Sequence, residues 1–206
     1  MIGIIDYGMG NLFSLRKALE RLGAAHEIVS QPEQLNSYSG LLLPGVGAFG
    51  DAMRYIRTIG LDQAIREYVQ TDRPLLGICL GMQLLFSESE EHGMHKGLDL
   101  LPGRAVRFQG DFKIPHMGWN ELTLRNREHP LVKGVVDGEY AYFVHSYYVQ
   151  VQNLAHLLAT TDYDHDVAAI VSSGKVTGMQ FHPEKSGSTG MTLLANFVQQ
   201  CKEGLA

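Results

Sequence analysis

The chain has 206 residues, 45% hydrophobic and 19% charged, with 17 basic against 22 acidic side chains and a formal net charge of −5. That length and composition suit one globular domain spanning 1–206, and an acidic balance without a Lys/Arg run argues against a general nucleic-acid binder. Two cysteines leave no disulfide framework and fit a reducing, cytoplasmic setting, no apolar run approaches the ~18 residues of a membrane helix, and Met1-Ile-Gly-Ile-Ile5 opens as a strand without a basic leader.

In chain order, Ile2–Ile5 reads as a strand and Asn11–Leu22 as an amphipathic helix with Leu12, Leu15, Leu19 and Leu22 along one face, stopped by Gly23. Short apolar strands are expected at His26–Val29, Leu41–Leu43 and Leu75–Ile78, with helices over Asp51–Ile59, Leu61–Val69 and Met82–Phe86. Beyond residue 100, strand-like segments dominate: Arg104–Phe108, Tyr142–His145, Tyr147–Gln150, His156–Thr160, Val167–Val171 and Lys175–Gln180. Ser172-Ser-Gly-Lys175 is a tight-turn signal that makes the last two antiparallel, and a final helix covers Gly190–Cys201. The expected architecture is α/β: one mixed, mostly parallel central sheet flanked by helices, with antiparallel strand additions in the C-terminal half.

Gly77-Ile-Cys79-Leu-Gly81 carries the chemistry. A buried strand that turns sharply into a helix lifts the turn side chain above the sheet edge, and glycines flank it because side chains would clash across the turn. A thiol at a helix N-terminus is favoured as thiolate. Val176–Phe181 then runs into His182-Pro-Glu184, and residues two apart in extended chain share a side. Cys79, His182 and Glu184 thus form a candidate nucleophile, base and orienting carboxylate.

Gly45-Val-Gly47-Ala-Phe-Gly50 matches Gly-x-Gly-x-x-Gly between strand and helix, but the next strand ends at Cys79 and supplies no ribose-binding carboxylate. Backbone donation to a tetrahedral oxyanion is the better use, with Leu80 giving one N–H and Val46 or Gly47 the other. Gly8-Met-Gly10-Asn11 reads as a helix start. His92 and His95 lack further ligands at metal spacing, so no metal is expected. Glu88-Ser-Glu-Glu91 reads by composition as a solvated helix end.

With these residues in place the chain resembles the triad-type, class I glutamine amidotransferases, whose nucleophile and histidine–glutamate motifs correspond to Gly77-x-Cys79-x-Gly81-x-Gln83 and His182-Pro-Glu184. Asp6–Asn11, Leu43–Phe49, Lys113–Asn120 and Phe143–Tyr147 resemble the histidine-biosynthesis branch and extend the likeness over the whole chain. The resemblance implies a flavodoxin-like three-layer fold, no cofactor, and hydrolysis of L-glutamine to glutamate and ammonia. It implies Gln83, Glu91, Ser146 and Tyr147 as substrate-binding residues. It also implies a cyclase partner with a (β/α)8 barrel, met by His116–Asn120, Asn11, Trp119 and Lys185, that receives the ammonia and switches the glutaminase on. An exposed Trp119 suits an interface anchor, whereas a core tryptophan is the plain alternative. The rivals are a glutaminase feeding a pyridoxal phosphate synthase and a non-catalytic cysteine sensor or chaperone. The first lacks the distinguishing segments, and the second has no use for the His182–Glu184 pair.

Overall fold

The computed structural model describes residues 1–203. Five parallel strands form one side of an eight-stranded sheet: β1 (Ile2–Ile5), β2 (His26–Val29) at its edge, β3 (Gly40–Gly45), β4 (Leu75–Cys79) and, last in the chain, β14 (Val176–Met179). The helices between them are α1 (Leu12–Arg21), α2 (Phe49–Thr58), α3 (Leu61–Val69) and α4 (Leu80–Leu84). The chain continues through β5 (Phe86–Ser89), β6 (His95–Lys96), β7 (Leu101–Arg107), β8 (His116–Glu121), β9 (Thr123–Leu124), β10 (Tyr140–His145), β11 (Tyr147–Val151), β12 (Leu157–Asp162) and β13 (Asp166–Ser173), and closes with α5 (Gly187–Glu203). Strand order in the large sheet is β2-β1-β3-β4-β14-β13-β12-β9, with the last three strands antiparallel.

Alternation along the central strands divides the core between two faces. Ile2, Ile4 and Leu42 point to α1 and α5, meeting Leu15, Leu19, Leu193 and Phe197. Ile5, Leu41 and Leu43 point the other way, to Met53 and Ile56 of α2 and Ile65 and Tyr68 of α3. Each such side chain contributes about 1.5–3 kcal/mol by leaving water, which is why the sheet is covered on both sides. The expected stripe on α1 follows this rule: Leu15 and Leu19 are buried and Leu12 and Leu22 pack at its margin.

Two expectations are corrected. The expected helix Met82–Phe86 starts earlier and ends at Leu84, and Phe86 opens β5. The reason is tertiary: the carbonyls of Leu84 and Leu85, which a continuing helix would need, accept from Leu98, Leu100 and Leu101. Residues 88–89 therefore lie in a strand, with Ser89 fully buried, and not at a solvated helix end. The antiparallel additions also do not all join one sheet. Among the described residues β10 pairs with β8 alone, and β11-β7-β5-β6 form a third sheet. The Ser172–Lys175 turn joins antiparallel β13 and β14 as expected.

Candidate active site

β3 and β4 end in register, Gly45 opposite Cys79, so the glycine loop and the cysteine rise from neighbouring strand ends. Cys79 has φ 57° and ψ −114°, a strained conformation for a residue with a Cβ. The flanking glycines are required: a Cβ on Gly77 would lie 2.6 Å from Gly81 O, and one on Gly81 would lie 1.8 Å from Leu43 O. Leu80 opens α4 immediately afterwards, among first-turn amides that have no acceptor within the helix.

His182 and Glu184 follow β14 and are both almost fully enclosed. The imidazole Nδ1–H donates to Glu184 Oε1 at 2.8 Å, which leaves Nε2 for the Cys79 thiol. Burial pulls the His182 pKa down, but the hydrogen bonds and charges of Cys79 and Glu184 outweigh it and raise the value to about 9.

A pocket of about 360 Å³ opens above these groups, lined by Val46, Gly47, Cys79, Leu80, Gln83, Glu91, Ser146, Tyr147 and His182 among others. It thus gathers nine residues singled out from the sequence. Gln83 spends its amide N–H groups on Tyr147 O (3.0 Å) and Gln180 Oε1 (3.1 Å), so its own carbonyl oxygen is the group left for a ligand. Glu91 caps α2 by accepting from Phe49 N–H at 2.6 Å through Oε2, and the residue lines the pocket. Asn11 lies at a small adjoining cleft with Val46, His182 and Glu184, whereas Lys185 is solvent-exposed on the turn after them.

Three residues that the sequence reading gave no part in the site belong here, His116 having been expected at the interface. Gln180, fully buried, places its amide nitrogen 4.0 Å from Cys79 Sγ while Gln83 fixes its carbonyl. Its signal was an amide two residues before His182 in an otherwise apolar strand. His145 and His116 form a directed chain: Asn120 Nδ2 donates to His116 Nε2, His116 Nδ1 to His145 Nε2, and His145 Nδ1 to Tyr147 O. Burial holds His145 down at about 3 and His116 at about 4, so both stay neutral and the chain keeps its direction. His116 therefore faces inward rather than joining the expected interface. Along β8 it alternates with Met117 and Trp119, which face solvent, Trp119 being 56% exposed.

The Val46 amide is already engaged. Its N–H donates to Met9 O at 3.0 Å, so in this conformation it is not available to an oxyanion. Among the described residues, no group of three or more His, Cys, Asp or Glu is placed to hold a metal ion, and no helix is long and apolar enough to cross a membrane.

A family model described as "Glutamine amidotransferase class-I" matches residues 3–201. The chain belongs to the class I glutamine amidotransferases. Curated relatives named imidazole glycerol phosphate synthase subunit HisH include one from Geobacillus kaustophilus, 55% identical with 96% of each chain covered. Another, from Halalkalibacterium halodurans, is 52% identical over 100% of this chain and 98% of its own. Among solved structures, a glutamine amidotransferase superposes with TM-score 0.75 at 21% identity over 98% of both chains, and PurLQS from Thermotoga maritima with TM-score 0.75 at 20% identity over 100% of this chain and 98% of that one. At such identities these two speak for the flavodoxin-like α/β fold alone.

Proposed function

We propose that this amidotransferase is the glutaminase subunit of an imidazole glycerol phosphate synthase, acting in the cytoplasm in histidine biosynthesis. The observation that carries the reading is Cys79, on a strained strand-to-helix turn, sharing one pocket with Glu91 and with His182, itself held by Glu184. Full-length identity above half to subunits of that synthase supports the choice within the family.

In the reaction, Cys79 Sγ attacks the side-chain amide carbon of glutamine and the carbonyl electrons move to oxygen. His182 gives its proton to the departing nitrogen as the C–N bond breaks, which releases ammonia and leaves a thioester. Water, deprotonated by His182, cleaves the thioester, giving glutamate and the free thiol. Glu91 meets the substrate ammonium, and Gln83, Ser146 and Tyr147 enclose its amino-acid end. Leu80 N–H supplies one oxyanion donor; the second, from Val46 or Gly47, requires the Gly45–Val46 or Val46–Gly47 peptide to rotate. Met9 O holding the Val46 amide supports a resting state with an incomplete oxyanion hole.

The ammonia passes to a partner, a cyclase of (β/α)8-barrel form. The face suited to it is the outer side of β8 and β10, where Trp119 packs edge-on against Tyr142 beside Met117 and Tyr140, all leading toward Val144 at the pocket rim. Trp119→Ala is expected to weaken docking by about 30-fold or more, as for an exposed aromatic anchor, with an unchanged melting temperature because the indole lies outside the core. Titration calorimetry and a thermal melt read the two together. The deciding experiment measures glutamate formation from glutamine by the purified chain, alone and with the cyclase plus its nucleotide ligand. Acceleration by the loaded partner is expected; a rate that ignores the partner overturns the assignment.

A further inference from the structure

Tyr7 follows β1, is 2% exposed, and its hydroxyl has no hydrogen-bond partner. A buried hydroxyl left unpaired costs about 1–3 kcal/mol, so its retention calls for a state in which it is paired. Its place is specific. A Cβ built on Gly45 would lie 2.4 Å from Tyr7 Oη, 2.9 Å from Gly81 N and 3.0 Å from Leu80 Cβ. The hydroxyl thus sits against the root of the Pro44–Gly47 loop and beside the first turn of α4, between the backbones that carry the two oxyanion donors. Only glycine at position 45 leaves room for it. Burial, and then the charge of Cys79, push the phenol well above its ordinary value, so it remains protonated and can donate.

The loop above it supplies the missing acceptor. In a trans peptide the N–H and the preceding C=O point to opposite sides. With Val46 N–H turned to Met9 O, the Gly45 carbonyl points away from the segment that follows β1. Rotating that peptide to aim the N–H at an oxyanion swings the Gly45 carbonyl back toward this segment. There it meets Met9 O, an acceptor facing an acceptor, unless a donor stands beside it.

We propose that Tyr7 is a positioning residue for the oxyanion loop, its hydroxyl donating to the Gly45 carbonyl in the rotated conformation. The resting conformation then carries the unpaired hydroxyl and the reactive one satisfies it, so the gap between them narrows by about one hydrogen bond. This inference rests on the glutaminase reading and extends it to the control of that site.

Tyr7→Phe tests it, since the phenyl ring fills the same space and removes only the oxygen. In the isolated chain and in the complex with the cyclase, kcat for glutamate formation is expected to fall about tenfold with KM for glutamine unchanged. The inhibition constant of glutamate γ-semialdehyde, whose thiohemiacetal with Cys79 places an oxyanion at the loop, rises by a similar factor. The melting temperature rises by about 2–4 °C, because an unpaired polar atom leaves the core. A purely structural hydroxyl gives the opposite pattern, a lower melting temperature with wild-type kcat, and overturns the proposal, as do an unchanged kcat and inhibition constant. Cys79→Ala is run in parallel. If it keeps the wild-type rate, the glutaminase reading falls and takes the role of Tyr7 with it; if it is dead while Tyr7→Phe matches wild type, only the Tyr7 proposal falls.

Discussion

Cys79→Ala is expected to lower glutamate formation by about 10⁶, to the limit of a coupled glutamate assay, in the presence of saturating partner. The size follows from the chemistry. Cys79 is the one thiol lining the pocket, the hydroxyls of Ser146 and Tyr147 being far weaker nucleophiles, and the oxyanion donors and the His182 proton have no covalent intermediate to act on once the thiol is gone. The fold is expected to survive, since alanine keeps the Cβ and the conformation at φ 57° is imposed by Gly77 and Gly81 on either side. Cys79→Gly separates chemistry from strain: glycine adopts that φ without steric cost, so this variant should be more stable by about 1 kcal/mol and equally inactive. A Cys79→Ala protein that still releases glutamate at the wild-type rate refutes the mechanism.

Glu184→Gln is expected to cost about 10³–10⁴ in kcat while binding glutamine normally. The amide keeps the shape of the 2.8 Å contact to His182 Nδ1 but removes the charge that favours imidazolium. His182, raised to about 9 despite burial, should then titrate closer to the ordinary imidazole value of 6.5, which an NMR titration of the imidazole reads directly. The wild-type kcat/KM should fall on the alkaline side with a midpoint near pH 9, where the proton meant for ammonia is lost, and in Glu184→Gln this limb should move toward neutrality. Stability follows the same sign. The folded state holds the His182 proton more tightly than the unfolded chain, so its contribution is complete below about pH 6.5 and is lost as pH rises through about 9. Within that window the slope is up to about 1.4 kcal/mol per pH unit, and it should be shallower in Glu184→Gln. Equal pH profiles for the two proteins contradict this account.

Much of this was legible locally. The elbow at Cys79 needs only a short apolar strand, two glycines and a following helix, all within the ten residues 75–84, and a Cβ at Gly77 or Gly81 would clash as that reading requires. The alternating strands and helices of the first half announce a parallel sheet because each element is buried by its own periodicity. β5 was illegible for the converse reason. Its residues Phe-Ser-Glu-Ser carry no strand pattern, and the segment is extended because Leu98, Leu100 and Leu101 take the carbonyls that would have continued α4. The same fold-back turns Glu91, in a run that composition reads as solvated, toward the cap of α2 and the pocket.

The sequence by itself determined the groups of the candidate site: a thiol at a strand-to-helix turn, a His-Pro-Glu sequence that puts imidazole and carboxylate on one side, and a glycine loop on the neighbouring strand. Those features rest on turn sterics and on two-residue alternation, which act between neighbours in the chain. Tertiary structure alone decided which hydrogen bond each of these groups makes. Met9 engages the Val46 amide, Gln83 orients Gln180 toward the sulfur, and Tyr7 is left unpaired beneath Gly45. Trp119 faces solvent while His116, three residues before it, is buried. Each of these outcomes depends on groups brought together from distant parts of the chain, where burial sets the partner and the cost of lacking one.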